Sequence, residues 1–173
     1  MVIKTTPLNA ETFKDYGWVF AKDGSGPPTI SNDEIDYWHN GMVLDQAPAS
    51  YALSLMNVKQ RKIEVKVLDV LTMSAELYLP LRHSPCILFT ALSTAEDSAK
   101  PDIETIKAFY FDGPGGFAVK AGIWHYTPFP VKGDTEFILG LHDNVLIQKD
   151  GEITIDPETI TYCDLEETVS VQQ

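Results

Sequence analysis

Hydrophobic and polar residues alternate along most of the chain after residue 50. This period-2 pattern is typical of β-strands whose two faces meet different surroundings. It is clearest in KIEVKVLDVL (62–71), and SYALSLMNVK (50–59) alternates in the same way. The largely apolar run CILFTALS (86–93) fits a strand that is buried on both faces. Turn-forming residues recur about every ten residues, so the pattern predicts an all-β sandwich or barrel.

Helices are predicted to be few and short. Asn9 can cap a helix over residues 10–15, and Gly17 is placed to end it. The segment KPDIETIK (100–107), with Pro101 near a first-turn position, is the other helical candidate. We therefore expect one domain over residues 1–173, a jelly-roll β-barrel with a few short helices and room for one small ligand.

Composition narrows the classes of partner. The chain has 25 acidic and 13 basic residues and a formal net charge of -12, which repels the phosphate backbone of nucleic acids. No window approaches the ~18 apolar residues of a membrane span, and the first residues lack the apolar core of a signal peptide. We expect a small-molecule ligand, no nucleic-acid or membrane partner, and a cytoplasmic location.

Several kinds of chemistry find little support in the residues. No HxH or HxxxH pair occurs among the four histidines, which are His39, His83, His125 and His142. We therefore predict no metal and no cofactor, although distant histidines can still converge. No GxSxG motif is present, and neither Cys86 nor Cys163 has a neighbouring histidine to activate it. General acid–base chemistry is what these exclusions leave.

Three residues are candidates for that chemistry. Glu76 interrupts the apolar strand AELYLPL (75–81) and points either into a polar cavity or into water. His125 follows a Lys-Ala-Gly turn, and its imidazole is either a proton-transfer group or a packed, hydrogen-bonded core residue. Lys120, if it faces inward, can hold a substrate carboxylate as a point charge.

Six segments follow one another along the chain: LNAETFKDYGWVF, SAELYLPL, PDIETIKAFYF, GFAVKAGIWHYTP, TEFI and TYCDLEE. The fourth, extended to GFAVKAGIWHYTPF, resembles the second cupin signature, in which a glycine turn delivers a histidine to the barrel mouth. The six segments and their order resemble the motifs of the ureidoglycolate lyase family of cupins.

The resemblance implies a cupin-type barrel, usually a homodimer, that cleaves ureidoglycolate to glyoxylate and urea without a cofactor. By position, His125 matches the motif histidine, Glu76 falls at a polar strand position, and Lys120 falls where the family often has a histidine. The segment DYWHNG resembles a YHDLA segment and implies that Tyr37 and His39 are near the substrate. We further expect substrate contacts from neighbours of the candidates, namely Tyr78, Trp124 and Tyr126.

The chain also departs from the family pattern. Leu71 stands where the family has a strand histidine, Tyr126 replaces the second histidine of a WHH motif, and Ala121 replaces an arginine. These losses of polar lining point to a divergent member and leave the substrate open. Two other hypotheses stay in play: a metal-dependent isomerase or dioxygenase, and a non-catalytic barrel that binds a small acid or sugar.

Overall fold

The computed structural model describes residues 1–20, 27–38, 50–149, 152–156 and 158–172. Within these ranges the strands are β1 (Val2–Ile3), β2 (Thr5–Pro7), β3 (Gly17–Phe20), β4 (Ile30–Ser31), β5 (Asp36–Tyr37), β6 (Tyr51–Val58), β7 (Glu64–Leu71), β8 (Glu76–Pro80), β9 (Cys86–Ala91), β10 (Lys107–Phe111), β11 (Gly116–Val119), β12 (Trp124–His125), β13 (Phe129–Pro130), β14 (Thr135–His142), β15 (Leu146–Lys149), β16 (Glu152–Ile155) and β17 (Ile160–Val171). Short 3₁₀ helices cover Leu81–His83, Ile103–Thr105 and Asp143–Val145. No helix in the described part of the chain is long and apolar enough to cross a membrane.

Two main sheets pack against each other. The larger has eight strands in the order β1-β17-β7-β12-β9-β10-β2, with β13 also paired to β9, and the smaller runs β3-β11-β8-β14-β6. The pairs β1–β17 and β2–β10 are parallel, and the other strand pairs of these two sheets are antiparallel. The remaining strands form the hairpins β4–β5 and β15–β16. The predicted all-β barrel of the cupin type is confirmed.

The central strand of the larger sheet, β9, is buried on both faces. Leu88 and Phe109 pack with Phe117 and Phe137 of the smaller sheet in the core between the sheets. Phe89, the neighbour of Leu88 on β9, points the other way, into a second apolar cluster on the outer face. Every residue of β9 is buried, as the apolar run predicted.

The predicted first helix is wrong, although its cap forms. The Asn9 side-chain oxygen accepts hydrogen bonds from the backbone N–H groups of Glu11 and Thr12, but the chain makes only turns before entering β3. Gly17 begins β3 instead of ending a helix. A Cβ at this position would lie 1.9 Å from the carbonyl oxygen of Ala118, so the glycine allows β3 to approach β11 closely. Tertiary packing here overrides the local helix signal.

The second helical candidate is reduced to one short turn. Asp102 caps the 3₁₀ helix Ile103–Thr105 by accepting a hydrogen bond from the N–H of Glu104. The chain then continues directly into β10, because Ile106 has extended backbone angles and Ala108 and Phe109 are drawn into the core.

Candidate active site

Glu76 faces the interior of the barrel. On β8, Glu76, Tyr78 and Pro80 are buried while Leu77 and Leu79 are partly exposed, so the strand alternates as its sequence predicts. The residue is only 8% exposed. A carboxylate in such a place requires a charged or hydrogen-bonding partner, because its transfer from water is otherwise costly.

His125 supplies that partner. Gly122, with φ of +80°, completes the turn that precedes β12, and the N–H of Ile123 donates back to the carbonyl of Lys120. The His125 Nδ1 lies 2.9 Å from the carbonyl oxygen of Ile123, and its Nε2 lies 2.8 Å from Glu76 Oε2. Because a carbonyl oxygen only accepts, Nδ1 carries a proton and the imidazole is held in a fixed orientation.

The surroundings of His125 favour the charged form of its ring. Burial acts to lower the pKa of His125, but the hydrogen bond to Glu76, the charges of Asp69 and Glu76, and the bond to Ile123 together raise this pKa to about 9. The ring is fully enclosed, with 2% exposure. The imidazole therefore reaches a ligand only through Glu76, and the direct contact expected for His125 is not what the geometry provides.

Asp69 is a third member of the site that the sequence analysis missed. It is the register partner of His125 between β7 and β12, and of Tyr162 between β7 and β17. Directly opposed residues project from the same face of a sheet, so Asp69 lies beside the ion pair. Burial raises the pKa of Asp69 to about 6, against the attraction of the His125 charge and with a further increase from Glu76. The available signal was a lone carboxyl within the apolar run VLDVL (67–71).

The two carboxyl groups open into a cavity of about 380 Å³. Asp69 and Glu76 line it together with three tyrosines, Tyr78, Tyr126 and Tyr162. Much of the remaining wall is apolar, including Leu71, Leu139 and Leu141. Such a space is large enough for one small molecule, and the carboxyl groups give it a definite polar end.

The tyrosines differ in environment. Tyr78 is buried, and burial, the charges of Glu76 and Asp69 and a hydrogen bond to Glu76 keep its pKa well above the usual value, so it stays a phenol. Tyr162 is 55% exposed at the cavity rim, and burial followed by the charge of Asp69 raises its pKa. Tyr126 lines the cavity wall, and the Arg61 guanidinium lies 5.9 Å from its ring centroid. Arg61 also donates to the carbonyl of Thr127 and lies 3.9 Å from the ring centroid of Phe129.

Several predicted site residues lie elsewhere. The Lys120 ammonium donates to the backbone carbonyl of Lys14 and lies 5.4 Å from the centroid of the Trp18 ring, and Lys120 is not part of the cavity lining. It is therefore not placed to anchor a substrate carboxylate. Tyr37 is 45% exposed on the β4–β5 hairpin and does not line the cavity either. His39 lies outside the described residues.

Trp124 is a core residue. It alternates with His125 on β12 and so points to the opposite face of the sheet, into the outer apolar cluster. Its side chain is fully buried, and its indole N–H donates to Ser93 Oγ. The expected contact of Trp124 with substrate is therefore corrected to a packing role.

The sequence of this chain is similar to that of a known protein family. Residues 1–161 match the sequence profile of the family described as ureidoglycolate lyase. The chain belongs to the ureidoglycolate lyase family. The family and the names of its relatives support a lyase function.

Its curated relatives in the family are distant. A protein named ureidoglycolate lyase from Salmonella paratyphi B is 23% identical over 141 residues, covering 80% of this chain and 86% of the relative. A protein of the same name from Escherichia coli O1:K1 / APEC is 22% identical over 163 residues, covering 92% of this chain and 95% of the relative. This identity is consistent with a divergent member of the ureidoglycolate lyase family.

The departures from the family motifs affect the wall of the cavity. Leu71 and Tyr126, which stand where the motif resemblance led us to expect histidines, both line it. Among the described residues, no three His, Cys, Asp or Glu side chains are grouped so that they could hold a metal ion. Among the described residues that line the cavity, the ionisable groups are the carboxyl groups of Asp69 and Glu76 and three phenols, and Glu76 is paired with the His125 imidazole.

Proposed function

We propose that this protein is a lyase that breaks the C–N bond of a small carbinolamide, a compound with a hydroxyl group and an amide nitrogen on one carbon. Ureidoglycolate, which would give glyoxylate and urea, is the reference member of this class. The observation that carries the proposal is the His125–Glu76 pair, 2.8 Å apart, next to a second carboxyl group with a raised pKa at the same cavity.

The residues suit the two proton transfers of such a cleavage. Asp69 faces the cavity and accepts the proton of the substrate hydroxyl as the C=O bond forms. The C–N bond breaks and its electron pair passes to the nitrogen. Glu76 takes the Nε2 proton of the His125 imidazolium through the Nε2–Oε2 hydrogen bond and delivers a proton to that nitrogen. His125 is then neutral and Asp69 protonated, and exchange with solvent returns the proton from Asp69 to the pair. The products are a carbonyl compound and a urea or amide, and no redox change occurs.

This assignment revises the roles expected for the candidates. His125 becomes the proton reserve behind Glu76, and Asp69 becomes the base. Tyr78 and Tyr126 offer phenol groups to the ligand from the wall, whereas Lys120 has no part in the reaction. No cofactor is required, because proton transfer alone completes the cleavage.

The proposal is tested by incubating the purified protein with ureidoglycolate and measuring glyoxylate and urea. Release above the spontaneous rate is expected for the wild type and is lost in Asp69→Asn and Glu76→Gln. The variant Glu136→Gln, which removes a carboxylate from an exposed ion pair with Arg82, serves as the control and keeps activity. Binding of carbinolamides without release of urea from any of them would favour the non-catalytic binding barrel instead.

We also propose that the protein is a homodimer that acts in the cytoplasm. Strand β6 is the edge of the smaller sheet and pairs only with β14 among the described strands. Leu53 and Leu55 on this strand are 66% and 65% exposed, and Tyr51–Val58 carries no charged residue. In a chain with a net charge of -12, an uncharged edge is where two copies meet with least repulsion.

A further inference from the structure

The charged side chains in the described lining of the cavity are both acidic. Asp69 and Glu76, when ionised, only accept hydrogen bonds, and both line the cavity. The phenols of Tyr78, Tyr126 and Tyr162 and the hydroxyls of Ser54 and Thr127 can donate or accept, but they carry no charge to offset an acid. A ligand rich in N–H and O–H groups satisfies this lining, whereas a ligand carboxylate, itself only an acceptor, would face carboxylates of like charge.

No cation offsets this character in the described lining. None of the described residues that line the cavity is Lys or Arg. The positive charge of His125 is used on Glu76, 2.8 Å away, and the other ring nitrogen is bonded to the Ile123 carbonyl. The three groups Asp69, Glu76 and His125 therefore carry a net negative charge once Asp69 is ionised.

Two candidate cations outside the cavity lining are engaged elsewhere. Arg61 donates to the carbonyl groups of Thr127 and Lys59 and stacks on the ring of Phe129. Lys120 donates to the carbonyl of Lys14. A carboxylate in the cavity would thus be desolvated without a partner of opposite charge, which is costly.

We infer that the cavity selects an uncharged, donor-rich ligand, a hydroxyl-bearing amide or urea without a carboxylate, over the corresponding acid. The inference rests on the proposed function only in taking this cavity as the site of reaction. It separates the chain from the acid substrate in the name of its relatives.

The first test compares matched ligands that differ only in charge. Binding of lactamide and of lactate is measured by NMR titration, and turnover of ureidoglycolate is compared with that of its carboxamide counterpart, 2-hydroxy-2-ureidoacetamide. We expect the uncharged member of each pair to be preferred by about tenfold or more, the size of effect that one unpaired charge commonly produces. Equal or tighter binding of lactate, or no binding of lactamide, would overturn the inference.

A second test introduces a cation next to Asp69. Tyr162 is the register partner of Asp69 and is 55% exposed, so Tyr162→Lys places an ammonium at the cavity rim with little cost to packing. We expect this variant to lose the preference for lactamide over lactate. Tyr110→Lys, at a 38% exposed tyrosine on β10 outside the cavity lining, is the matched control and keeps the preference. A preference unchanged in Tyr162→Lys would contradict the inference.

The outcomes separate the inference from the proposed function. Preference for lactamide without release of urea from any carbinolamide would support the ligand class and reject the lyase reaction. Faster turnover of ureidoglycolate than of its carboxamide would support the reaction and reject the ligand class. Loss of that reversed preference in Arg61→Gln would then identify the guanidinium as the anchor of the carboxylate.

Discussion

Asp69 and His125 are direct cross-strand partners, paired between β7 and β12 at the wall of the cavity. The same row continues to Tyr162 on β17 and to Thr90 on β9. The buried imidazole thus has a carboxyl group beside it on the sheet and a second one, Glu76, on the facing sheet. This arrangement distributes two negative charges around one positive charge and leaves Asp69 as the acid with the raised pKa.

Removal of the Glu76 charge is expected to affect both stability and proton transfer. Glu76→Gln keeps a hydrogen-bond acceptor near His125 Nε2 but leaves a buried imidazolium without its nearest counter-charge. We expect the pKa of His125 to fall below about 9, the free energy of unfolding to decrease by about 3 kcal/mol, and activity to fall about 100-fold or more. NMR titration of the His125 ring and chemical denaturation measure the first two effects.

Glu136→Gln is the control for this substitution. Glu136 is 40% exposed and lies 3.5 Å from the guanidinium of Arg82, so its removal should change the free energy of unfolding by less than about 1 kcal/mol. An unchanged titration of His125 in Glu76→Gln would show that the ion pair does not set its pKa.

The pH dependence of turnover is expected to be bell-shaped. Asp69 must be ionised to accept a proton, so kcat/KM rises as pH passes about 6, its raised pKa. His125 must be protonated to resupply Glu76, so kcat/KM falls as pH passes about 9. Because Asp69 and His125 shift each other's pKa, the two apparent pKa values belong to the pair and not to either residue alone. A profile that is flat from roughly pH 5 to 10 would remove the assigned roles.

Asp69 is also expected to lower the stability of the fold at neutral pH. The pKa of Asp69 in the folded protein, about 6, is higher than its ordinary 3.8. The contribution of Asp69 to the free energy of unfolding is therefore most favourable below pH 3.8 and is lost as pH rises through 6. Asp69→Asn should therefore raise the free energy of unfolding by up to about 3 kcal/mol at pH 8, with little gain below pH about 4. Thermal unfolding across this range measures the difference, and equal gains at both ends would contradict it.

A carboxyl group with the opposite shift provides the control. The backbone N–H of Gln60 and the ammonium of Lys59 hold the pKa of Asp134 below its usual value. Asp134 is exposed, so Asp134→Asn should be slightly less stable than the wild type above pH 3.8, the reverse of Asp69→Asn.

The sequence pattern predicts most of the fold because the signal for a strand is its period. The alternation in β6, β7 and β8 and the apolar run of β9 all correspond to observed strands. The failure came at residues 10–15, where a correct local cap at Asn9 is followed by no helix. There Phe13 and Tyr16 are drawn into the core and Gly17 packs against Ala118, and these contacts are not visible in local sequence.

The site was predictable in part for the same reason. Residues two apart on a strand face the same way, so Glu76 faces the interior if Tyr78 does. The position of His125 in the motif suggested it as a site residue. Asp69 lies on a different strand from either residue, and only the pairing of β7 with β12 reveals that it faces His125. Lys120 was misassigned because it follows the last residue of β11, where its side chain reaches the backbone carbonyl of Lys14 and not the cavity.

Trp124 and Tyr126 flank His125 and are expected to respond differently to substitution. Trp124→Phe removes the hydrogen bond to Ser93 and creates space in the outer cluster, so we expect a loss of about 1 to 3 kcal/mol in stability with KM unchanged. Tyr126→Phe removes a phenol from the cavity wall and should change KM with less effect on stability. Denaturation and steady-state kinetics on both variants test this split, and a raised KM in Trp124→Phe alone would restore its predicted contact with substrate.

Association through β6 is expected to depend on its two exposed leucines. Leu53→Lys or Leu55→Lys places a charge on the uncharged edge, and a β-strand edge that carries lysine resists pairing with another strand. We expect light scattering after size-exclusion chromatography to show a dimer for the wild type and a monomer for both variants. Met73→Lys adds the same charge at a residue that is 53% exposed outside β6, and should remain dimeric.

A monomeric wild-type protein would reject the dimer, and dimeric variants would place its interface elsewhere. Because Leu55 also lines the cavity whereas Leu53 does not, a change in turnover confined to Leu55→Lys would reflect the cavity wall and not the loss of the dimer.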